Sequence, residues 1–393
     1  MRPALEARGE DRTVPGSAQR SGRGDGVEPS VGAKPTFLHP FRIDVDPMQG
    51  LLLLNLDKDP DDVYAAFEPQ VFDDDVHGRG VIVVAWRRDG RVDVYHPSAV
   101  RLDPATYSIA GDGLHAMVER SFERARFDLS ERGVDADVCF DDAAGRRVEL
   151  RVVERSTRPA PRFGLLAPMG DAARAPEAMP LLFLRAFAFV RRAGSEVRVA
   201  VDGREHAIAG LPVPIDGQRM LFARYAISPL IATLNPNHDG ALAPVSLGDA
   251  GAARDDALEL DVREHEGRAA LVALTRRHGG QAITLRFDGP YPDVRTLRER
   301  EEIAGRFSVA ADPRAGDVSG SYSLRRDGDV VSTSLHPDRG WRPNERRWSL
   351  RLVYRLAPVF RRWPRTYRWD AEIDLTPGSA PAMRSRWTRL DRS

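Results

Sequence analysis

The sequence predicts an all-β protein with two consecutive antiparallel β-barrel or sandwich domains behind a disordered N-terminal tail. From about residue 80 onward, short runs of alternating apolar and polar residues recur, and a period of two is that of a strand with one buried face. Seven Asp-Gly pairs lie in the same part of the chain. Such pairs let a chain reverse between antiparallel strands, because Asp tolerates a positive φ and Gly adopts it freely. The seven aspartates are Asp89, Asp112, Asp202, Asp216, Asp239, Asp288 and Asp327.

The length of the chain predicts more than one folded unit. It has 393 residues, whereas a single domain has roughly 150. Residues 1–35 contain few bulky apolar side chains, so we expect a disordered tail there. The small and polar segment at residues 248–256 predicts a linker. The first domain is then expected at residues 36–247 and the second at residues 257–393.

The first domain is predicted to be a series of antiparallel strands. The run Leu51–Leu54 predicts a buried strand, and the acidic residues 57–62 predict a solvated turn after it. Residues 115–126 fit a short helix as well as a strand, and the sequence leaves both open. The other predicted strands are Val81–Trp86, Val92–Tyr95, Phe127–Leu129, Val134–Val138, Val148–Val152, Phe187–Val190, Val197–Val201 and His206–Ile208.

The second domain repeats this pattern. Its sharpest signal is Tyr367–Leu375, where five apolar residues alternate with four charged ones, as expected of a strand between a core and water. Only Val294–Ile303 is predicted to be helical. The other predicted strands are Leu258–Val262, Leu271–Thr275, Ile283–Phe287, Phe307–Val309, Val318–Leu324, Val330–Leu335 and Trp348–Tyr354.

Charge and composition argue against several classes of function. The 58 basic residues balance 58 acidic ones, so no net field favours a nucleic acid as partner. Only Lys34 and Lys58 are lysines, and this preference for arginine indicates a GC-rich, bacterial genome. The N-terminus lacks the apolar segment of a signal peptide, and no run approaches the ~20 apolar residues of a transmembrane helix. We therefore expect a cytoplasmic protein.

No motif of a known catalytic class is present. The sequence contains no GxSxG, no GxxxxGK[ST], no HExxH and no CxxC, which mark common hydrolases, phosphate-binding loops and metal sites. The nine histidines are scattered without metal-ligand spacing, and Cys139 is the single cysteine. We therefore expect neither a metal nor a cofactor.

The densest polar loop, Asn235–Gly240, contains the first catalytic candidates. A histidine titrates near neutral pH when a carboxylate orients it, so His238 and Asp239 are predicted to act as a general acid and base. The alternative is a turn in which Asn and Asp serve only the backbone. Only the first interpretation allows a hydrolase in which His238 and Asp239 are catalytic residues.

Aromatic residues concentrate in the last third of the chain, where five of the six tryptophans alternate with arginines. This pattern predicts a site for a flat or polyunsaturated molecule with an anionic or polar end. The alternative is ordinary sheet packing, with aromatic residues on one face and arginines over the other. An apolar stretch with methionine and proline between residues 163 and 184 fits a pocket lining or a buried strand. The predicted ligand-binding residues are Trp341, Trp348, Tyr354, Trp363, Tyr367, Trp369, Phe183 and Met179.

The two meanders, the strand pair around Glu131-Arg132-Gly133, the Asp-Gly turns and the Trp-rich closing strands resemble the two-domain lipocalin-like proteins. That group includes the bacterial carotenoid 1,2-hydratases, and the resemblance covers about residues 38–390. It implies a pair of packed barrels that enclose an apolar ligand, with acid chemistry on an isolated alkene. The catalytic acid of the hydratases matches no position in this sequence. Candidates for a buried acid are Asp288, Tyr291 and Asp370.

The first functional hypothesis is a protein that binds a hydrophobic small molecule, of isoprenoid or polyketide type, in a barrel cavity. A carboxyl group buried in such a cavity has a raised pKa, which suits acid-catalysed hydration, cyclisation or isomerisation. The alternative is a non-catalytic interaction module that uses the Arg/Trp-rich surface of the C-terminal domain. The sequence leaves open whether the protein is an enzyme, and it leaves the oligomeric state open as well.

Overall fold

The computed structural model describes residues 35–156, 158–248, 252–255, 258–278 and 280–390. The predicted N-terminal tail lies outside these residues except for Pro35. Strands account for 58% of the structure and helices for 6%, which confirms the all-β class. The chain from Pro35 onward forms one compact unit.

The strands up to residue 248, except β17, form three sheets, and the same part of the chain contains one helical turn, α1 (Pro104–Tyr107). They are β1 (Thr36–Phe37), β2 (Ile43–Pro47), β3 (Gly50–Asn55), β4 (Tyr64–Asp74), β5 (Gly78–Arg87), β6 (Val92–His96), β7 (Leu114–Glu119), β8 (Arg124–Ser130), β9 (Gly133–Asp141), β10 (Arg147–Glu154), β11 (Phe163–Ala167), β12 (Met179–Arg191), β13 (Ser195–Val201), β14 (Arg204–His206), β15 (Met220–Ile227), β16 (Leu230–Leu234), β17 (His238–Ala241) and β18 (Val245–Ser246).

The rest of the chain adds nine strands, a single 3-10 turn at Val294–Thr296 and the helices α2 (Trp348–Leu356) and α3 (Pro358–Arg362). The strands are β19 (Ala252–Asp255), β20 (Leu258–His265), β21 (Arg268–His278), β22 (Gln281–Pro292), β23 (Glu302–Ala310), β24 (Asp317–Asp327), β25 (Val330–Arg342), β26 (Tyr367–Asp374) and β27 (Ala382–Arg389). None of the helices in the described ranges has the length and apolar character needed to span a bilayer.

The first large sheet has the strand order β2-β16-β12-β15-β3-β4-β5-β6-β7, and β11 pairs with β12 beside this path. All its pairs are antiparallel except β6 with β7, which are parallel. The five-stranded sheet β14-β13-β10-β9-β8 packs on one of its faces. Leu52 and Leu54 face that sheet, whereas Leu51 and Leu53 lie in the core on the opposite side. The unbroken run of leucines is explained by burial of both faces of β3.

The second large sheet is an open half-barrel of ten antiparallel strands, in the order β17-β27-β26-β25-β24-β23-β22-β21-β20-β19. Its strands from β19 to β27 follow one another along the chain, as the meander in the sequence predicted. The segment between β1 and β2 packs against this sheet. The ring of Phe41 lies 4.9 Å from that of Phe287, 4.6 Å from that of Tyr291 and 5.9 Å from that of Trp369. One hydrophobic core therefore contains residues of both large sheets.

The predicted linker at residues 248–256 lies partly outside the described residues. Within it, Ala252–Asp255 forms β19 and pairs with β20. Strand β17 comes before this segment and pairs with β27 at the other edge of the half-barrel. The division into two domains at this point stays a prediction.

Two predicted elements are wrong. Trp348–Tyr354 is predicted as a strand from its alternating apolar residues, but it forms α2, in which the buried Leu350 and Tyr354 are four residues apart. That spacing is the period of a helix. Val294–Ile303 is predicted as a helix, but its helical part is limited to the 3-10 turn, and its last two residues belong to β23. Asp293 begins the turn by accepting a hydrogen bond from the Arg295 backbone N–H at 2.9 Å. The ambiguous segment at residues 115–126 contains the end of β7 and the start of β8.

Five of the seven Asp-Gly pairs lie in turns or loops. The other two lie inside strands, at Asp239-Gly240 in β17 and Asp288-Gly289 in β22. Gly289 has a φ of +81° and lies where the register between β21 and β22 shifts. The positive φ of the glycine in this pair therefore allows a β-bulge rather than a hairpin turn.

Candidate functional site

An apolar cavity of about 350 Å³ lies between the helices α2 and α3 and one face of the first large sheet. The sheet contributes Leu165, Phe187, Phe189, Phe222 and Arg224 to its wall. Leu350, Val353, Tyr354, Val359 and Phe360 from the two helices face them. We call the segment at residues 343–366, which contains α2 and α3, the roof segment. No strand of the half-barrel lines the cavity.

The roof segment connects β25 to β26, and an aromatic cluster holds it in place. Tyr354 and Phe360 pack against Trp341 of β25, with ring centroids 5.0 and 5.1 Å from the indole. The indole N–H of Trp341 donates a hydrogen bond to the Ala315 carbonyl at 2.7 Å. At the other side, the Arg347 guanidinium lies 3.2 Å from the carboxylate of Asp216. The roof segment is therefore attached to β25 of the half-barrel and to the turn that contains Asp216 while it covers the cavity.

Arg224 is the single charged side chain in the wall of this cavity. The period of two in β15 places Ala223 and Tyr225 towards the five-stranded sheet, so Arg224 lies on the opposite face. Burial lowers the pKa of Arg224, and the negative charges of Glu68 and Asp57 oppose that change. Among the described residues, the guanidinium has no hydrogen-bond acceptor and no ion-pair partner. The ring of Phe222 lies 5.5 Å from the guanidinium carbon.

A second cavity of about 300 Å³ adjoins the first and contains a buried carboxyl group. Arg224, Ala167, Pro168 and Asn55 line both cavities. Glu68 of β4 lines the second, and its side chain accepts hydrogen bonds from Gln70 Nε2 at 2.8 Å and from Trp86 Nε1 at 3.0 Å. Burial raises the pKa of Glu68 above its ordinary value, although these two hydrogen bonds and the charge of Arg224 act against the rise.

The two cavities together offer a mainly apolar volume with Arg224 at their junction. The second cavity is lined by three further charged residues, Glu68, Asp57 and Arg87. Ligand sites of this kind bind the apolar body of a molecule by burial and fix its orientation through a few polar groups. An unpaired guanidinium binds a carboxylate or phosphate with two parallel hydrogen bonds. A raised pKa makes a carboxyl group better suited to act as a general acid.

The structure does not bring the predicted catalytic residues together. His238 accepts a hydrogen bond from Arg42 at 3.0 Å and contacts the Ala241 carbonyl at 3.2 Å, while its neighbour Asp239 forms an exposed ion pair with Arg384. The other three candidates are also separate, and none of the five lines either cavity. Asp288 is exposed, Asp370 pairs with Arg368, and the Tyr291 hydroxyl is buried and donates to Thr333.

Of the predicted ligand-binding residues, Tyr354 alone lines the apolar cavity. Trp341 packs behind Tyr354. Trp348 is 77% exposed at the start of α2. The remaining predicted residues are fully buried in the core, away from the cavity wall, and they are Trp363, Tyr367, Trp369, Phe183 and Met179.

Glu68 and Arg224 are the residues that the sequence analysis missed. Each is the single charged residue of a strand segment, Glu68 in Tyr64–Phe72 and Arg224 in Met220–Ile227. A charged side chain in such a strand is rarely buried without a partner or a function. A single charged residue within such a strand is therefore the feature of the sequence that indicates a possible site.

Comparison with protein-family models, with curated proteins and with solved structures gives no match. Within the described ranges, no group of three or more His, Cys, Asp or Glu side chains is arranged to hold a metal ion.

Proposed function

We propose that this protein binds a hydrophobic small molecule with an anionic end, of isoprenoid or polyketide type, in the two adjoining cavities. The observation that carries this proposal is Arg224, a guanidinium without a partner among the described residues at the junction of two cavities. The resemblance to lipocalin-like proteins is part of the same proposal, and the ten-stranded meander supports it. The cytoplasm is the location we propose.

The volume and lining support the apolar part of the ligand. A cavity of about 350 Å³ lies within the usual range of roughly 300 to 1,000 Å³ for small-molecule sites. The wall consists mainly of aromatic and aliphatic side chains, and each Å² of apolar ligand surface that they bury contributes about 25 cal/mol. A polyene or an aliphatic chain fits this environment better than a sugar or a nucleotide.

The charge supports the anionic end. A carboxylate placed on Arg224 gains a charge-assisted pair in surroundings of low dielectric, where such a pair is stronger than in water. The neutral analogue of the same ligand leaves the guanidinium unpaired. We therefore expect Arg224 to discriminate between an acid and the corresponding alcohol.

The test compares retinoic acid and retinol, a polyene acid and its alcohol, as fluorescence-quenching ligands. Hydrogen bonds to charged groups contribute about 1.5 to 3 kcal/mol, so we expect Arg224→Gln to weaken binding of the acid roughly tenfold to a hundredfold. Binding of the alcohol should change little. Arg263→Gln, at an exposed position of β20, is the matched control. If Arg224→Gln binds retinoic acid as tightly as the unchanged protein does, the proposal is contradicted.

A second candidate function is acid catalysis by Glu68, which its burial beside the bound ligand favours. In this scheme, the protonated carboxyl group transfers its proton to an alkene carbon and leaves a carbocation. Loss of a proton from a neighbouring carbon then gives an isomerised alkene. Attack of a second double bond of the ligand on the cation before that loss forms a carbon–carbon bond and gives a cyclised alkene, whereas addition of water followed by loss of a proton from its oxygen gives an alcohol. Each route returns one proton to the Glu68 carboxylate.

Glu68→Gln separates catalysis from binding. The amide cannot donate the carboxyl proton, but it keeps the shape of the side chain and can still accept from Gln70. We expect ligand binding to persist and turnover of a bound polyene to be lost, as measured by deuterium incorporation from heavy water. Unchanged incorporation in Glu68→Gln rules out this role for Glu68, and no incorporation by the unchanged protein leaves a binding protein.

A further inference from the structure

The outer face of α2 carries an apolar stripe. Trp348, Leu352 and Leu356 are 77%, 46% and 60% exposed, and their spacing of four residues places them on one side of the helix. The opposite side contains Leu350 and Tyr354, which are buried on the cavity. The helix is therefore apolar on two faces, and the protein covers only one of them.

The surroundings of the stripe are strongly basic. Residues 346–369 contain eight arginines and no acidic residue, although the whole chain is neutral. Arg351, Arg355, Arg361 and Arg362 are exposed, and none of these four has an ion-pair partner in the described part of the chain. A patch of this composition combines an apolar surface with unpaired positive charge.

We propose that the roof segment docks on an anionic lipid surface. Trp348, Leu352 and Leu356 enter the boundary between the headgroups and the acyl chains, and the arginines pair with lipid phosphates. Amphipathic helices with Trp and Leu on one face and arginines beside them bind membranes in this way. The indole ring prefers that boundary because it has both an apolar body and a polar N–H.

Charge complementarity selects lipid over a second copy of this chain. A symmetric dimer through the stripe would place the arginines of one copy against those of the other, and like charges across an interface oppose association. An anionic bilayer offers negative charge and apolar surface together.

The docked helix also covers the cavity, so docking brings the cavity to the membrane, in which an apolar ligand dissolves. This last consequence rests on the proposed function, whereas docking itself does not.

The experiment is co-sedimentation of the full chain with vesicles of phosphatidylcholine alone and of phosphatidylcholine mixed with phosphatidylglycerol. We expect binding to the mixed vesicles, at least roughly tenfold weaker binding to phosphatidylcholine alone, and loss of binding at high salt. The variant with Trp348→Ser, Leu352→Ser and Leu356→Ser should lose binding by a similar factor. Val76→Ser and Val330→Ser replace exposed valines elsewhere and serve as controls.

A second variant tests the charges, with Arg351→Gln, Arg355→Gln, Arg361→Gln and Arg362→Gln against Arg263→Gln as control. We expect it to bind both kinds of vesicle equally weakly. The retinoic acid assay should be unchanged in the triple serine variant, because its three positions do not line the cavity. Failure of ligand binding therefore contradicts the proposed function and leaves docking standing.

Three results overturn the docking proposal. One is absence of binding to anionic vesicles by the unchanged protein. Another is equal binding by the unchanged protein and both variants. The third is a concentration-dependent dimer that the serine variant abolishes while no vesicle binding occurs, which would make the stripe an interface between copies.

Discussion

His77, in the turn between β4 and β5, lies between two carboxylates. Its Nε2 is 3.0 Å from Asp46 Oδ1, and its Nδ1 is 2.9 Å from Asp74 Oδ2. Asp46, and to a smaller extent Asp74, together raise the pKa of His77 to about 9 against the opposing effect of burial. The imidazolium is thus the favoured form in the folded protein near neutral pH.

We expect this charge to make the stability depend on pH. The folded pKa lies above the unfolded value of 6.5, so the stabilisation is complete below pH 6.5 and is lost as the pH rises through about 9. At about 1.4 kcal/mol for each pKa unit, the free energy of unfolding falls by at most roughly 3 kcal/mol. Urea unfolding across that range measures the decline. His77→Gln should remove it, and an equal decline in that variant would place its origin elsewhere.

The candidate site also shows, at the level of single residues, what a sequence can reveal. The Tyr354 side chain was predicted to line a ligand site, and it does line the apolar cavity. Glu68 and Arg224 lie 156 positions apart, and they meet because β3 lies between β4 and β15 in the sheet. The alternation of residues within a strand does not show which strands are neighbours in the sheet. The sequence therefore shows that each residue is an isolated charge in its strand, but it does not show that the two residues share a cavity.

At the scale of elements, a buried ion pair joins the five-stranded sheet to the first large sheet. Glu154, at the end of β10, accepts hydrogen bonds from Arg191 of β12 through the guanidinium Nε at 2.5 Å and the backbone N–H at 3.0 Å. The hydroxyl of Tyr225 in β15 donates to the other carboxylate oxygen at 3.2 Å. Arg191 also donates to the carbonyl of Arg158 at 2.8 Å. Both charged side chains are almost fully buried.

Glu154→Gln should therefore destabilise the fold more than most single substitutions. Removing one partner of a buried pair leaves an uncompensated charge and costs about 3 to 5 kcal/mol. Tyr225→Phe removes one hydrogen bond and leaves the pair intact, so it should cost only about 1 kcal/mol. Chemical denaturation of both variants gives the comparison. Similar stability of Glu154→Gln and the unchanged protein would show that the pair is dispensable.

The helix α2 shows why an element can be predicted incorrectly from its sequence. Its apolar residues at positions 348, 350, 352 and 354 alternate as in a strand. The helix buries only Leu350 and Tyr354 and leaves Trp348 and Leu352 exposed. Which apolar residues are buried depends on what lies opposite the segment, and that surface belongs to strands more than a hundred residues earlier. The pattern alone therefore could not separate the two structures.

At the scale of the whole molecule, the two large sheets differ in how far the sequence determined them. The half-barrel follows chain order from β19 to β27, so reading successive hairpins located β20 to β26. It did not find β19, which lies in the predicted linker, or β27, and it placed an extra strand where α2 lies. In the first large sheet β12 and β15 lie beside β16 and β3, and their pairing depends on contacts across long stretches of chain. Individual strands such as β5, β6, β8 and β9 were predicted correctly, but their assignment to separate sheets was not available from alternation.

The roof segment is an insertion between two neighbouring strands, and this has a consequence for how the protein can diversify. Neither α2 nor α3 contributes to the hydrogen-bond ladder of a sheet. The segment can therefore change in length and composition while β25 and β26 keep their register. The helical part of the cavity wall and the proposed docking surface both lie in the roof segment, so grafting a different stretch between the same strands would change both while Arg224 and the wall formed by the sheet stay in place.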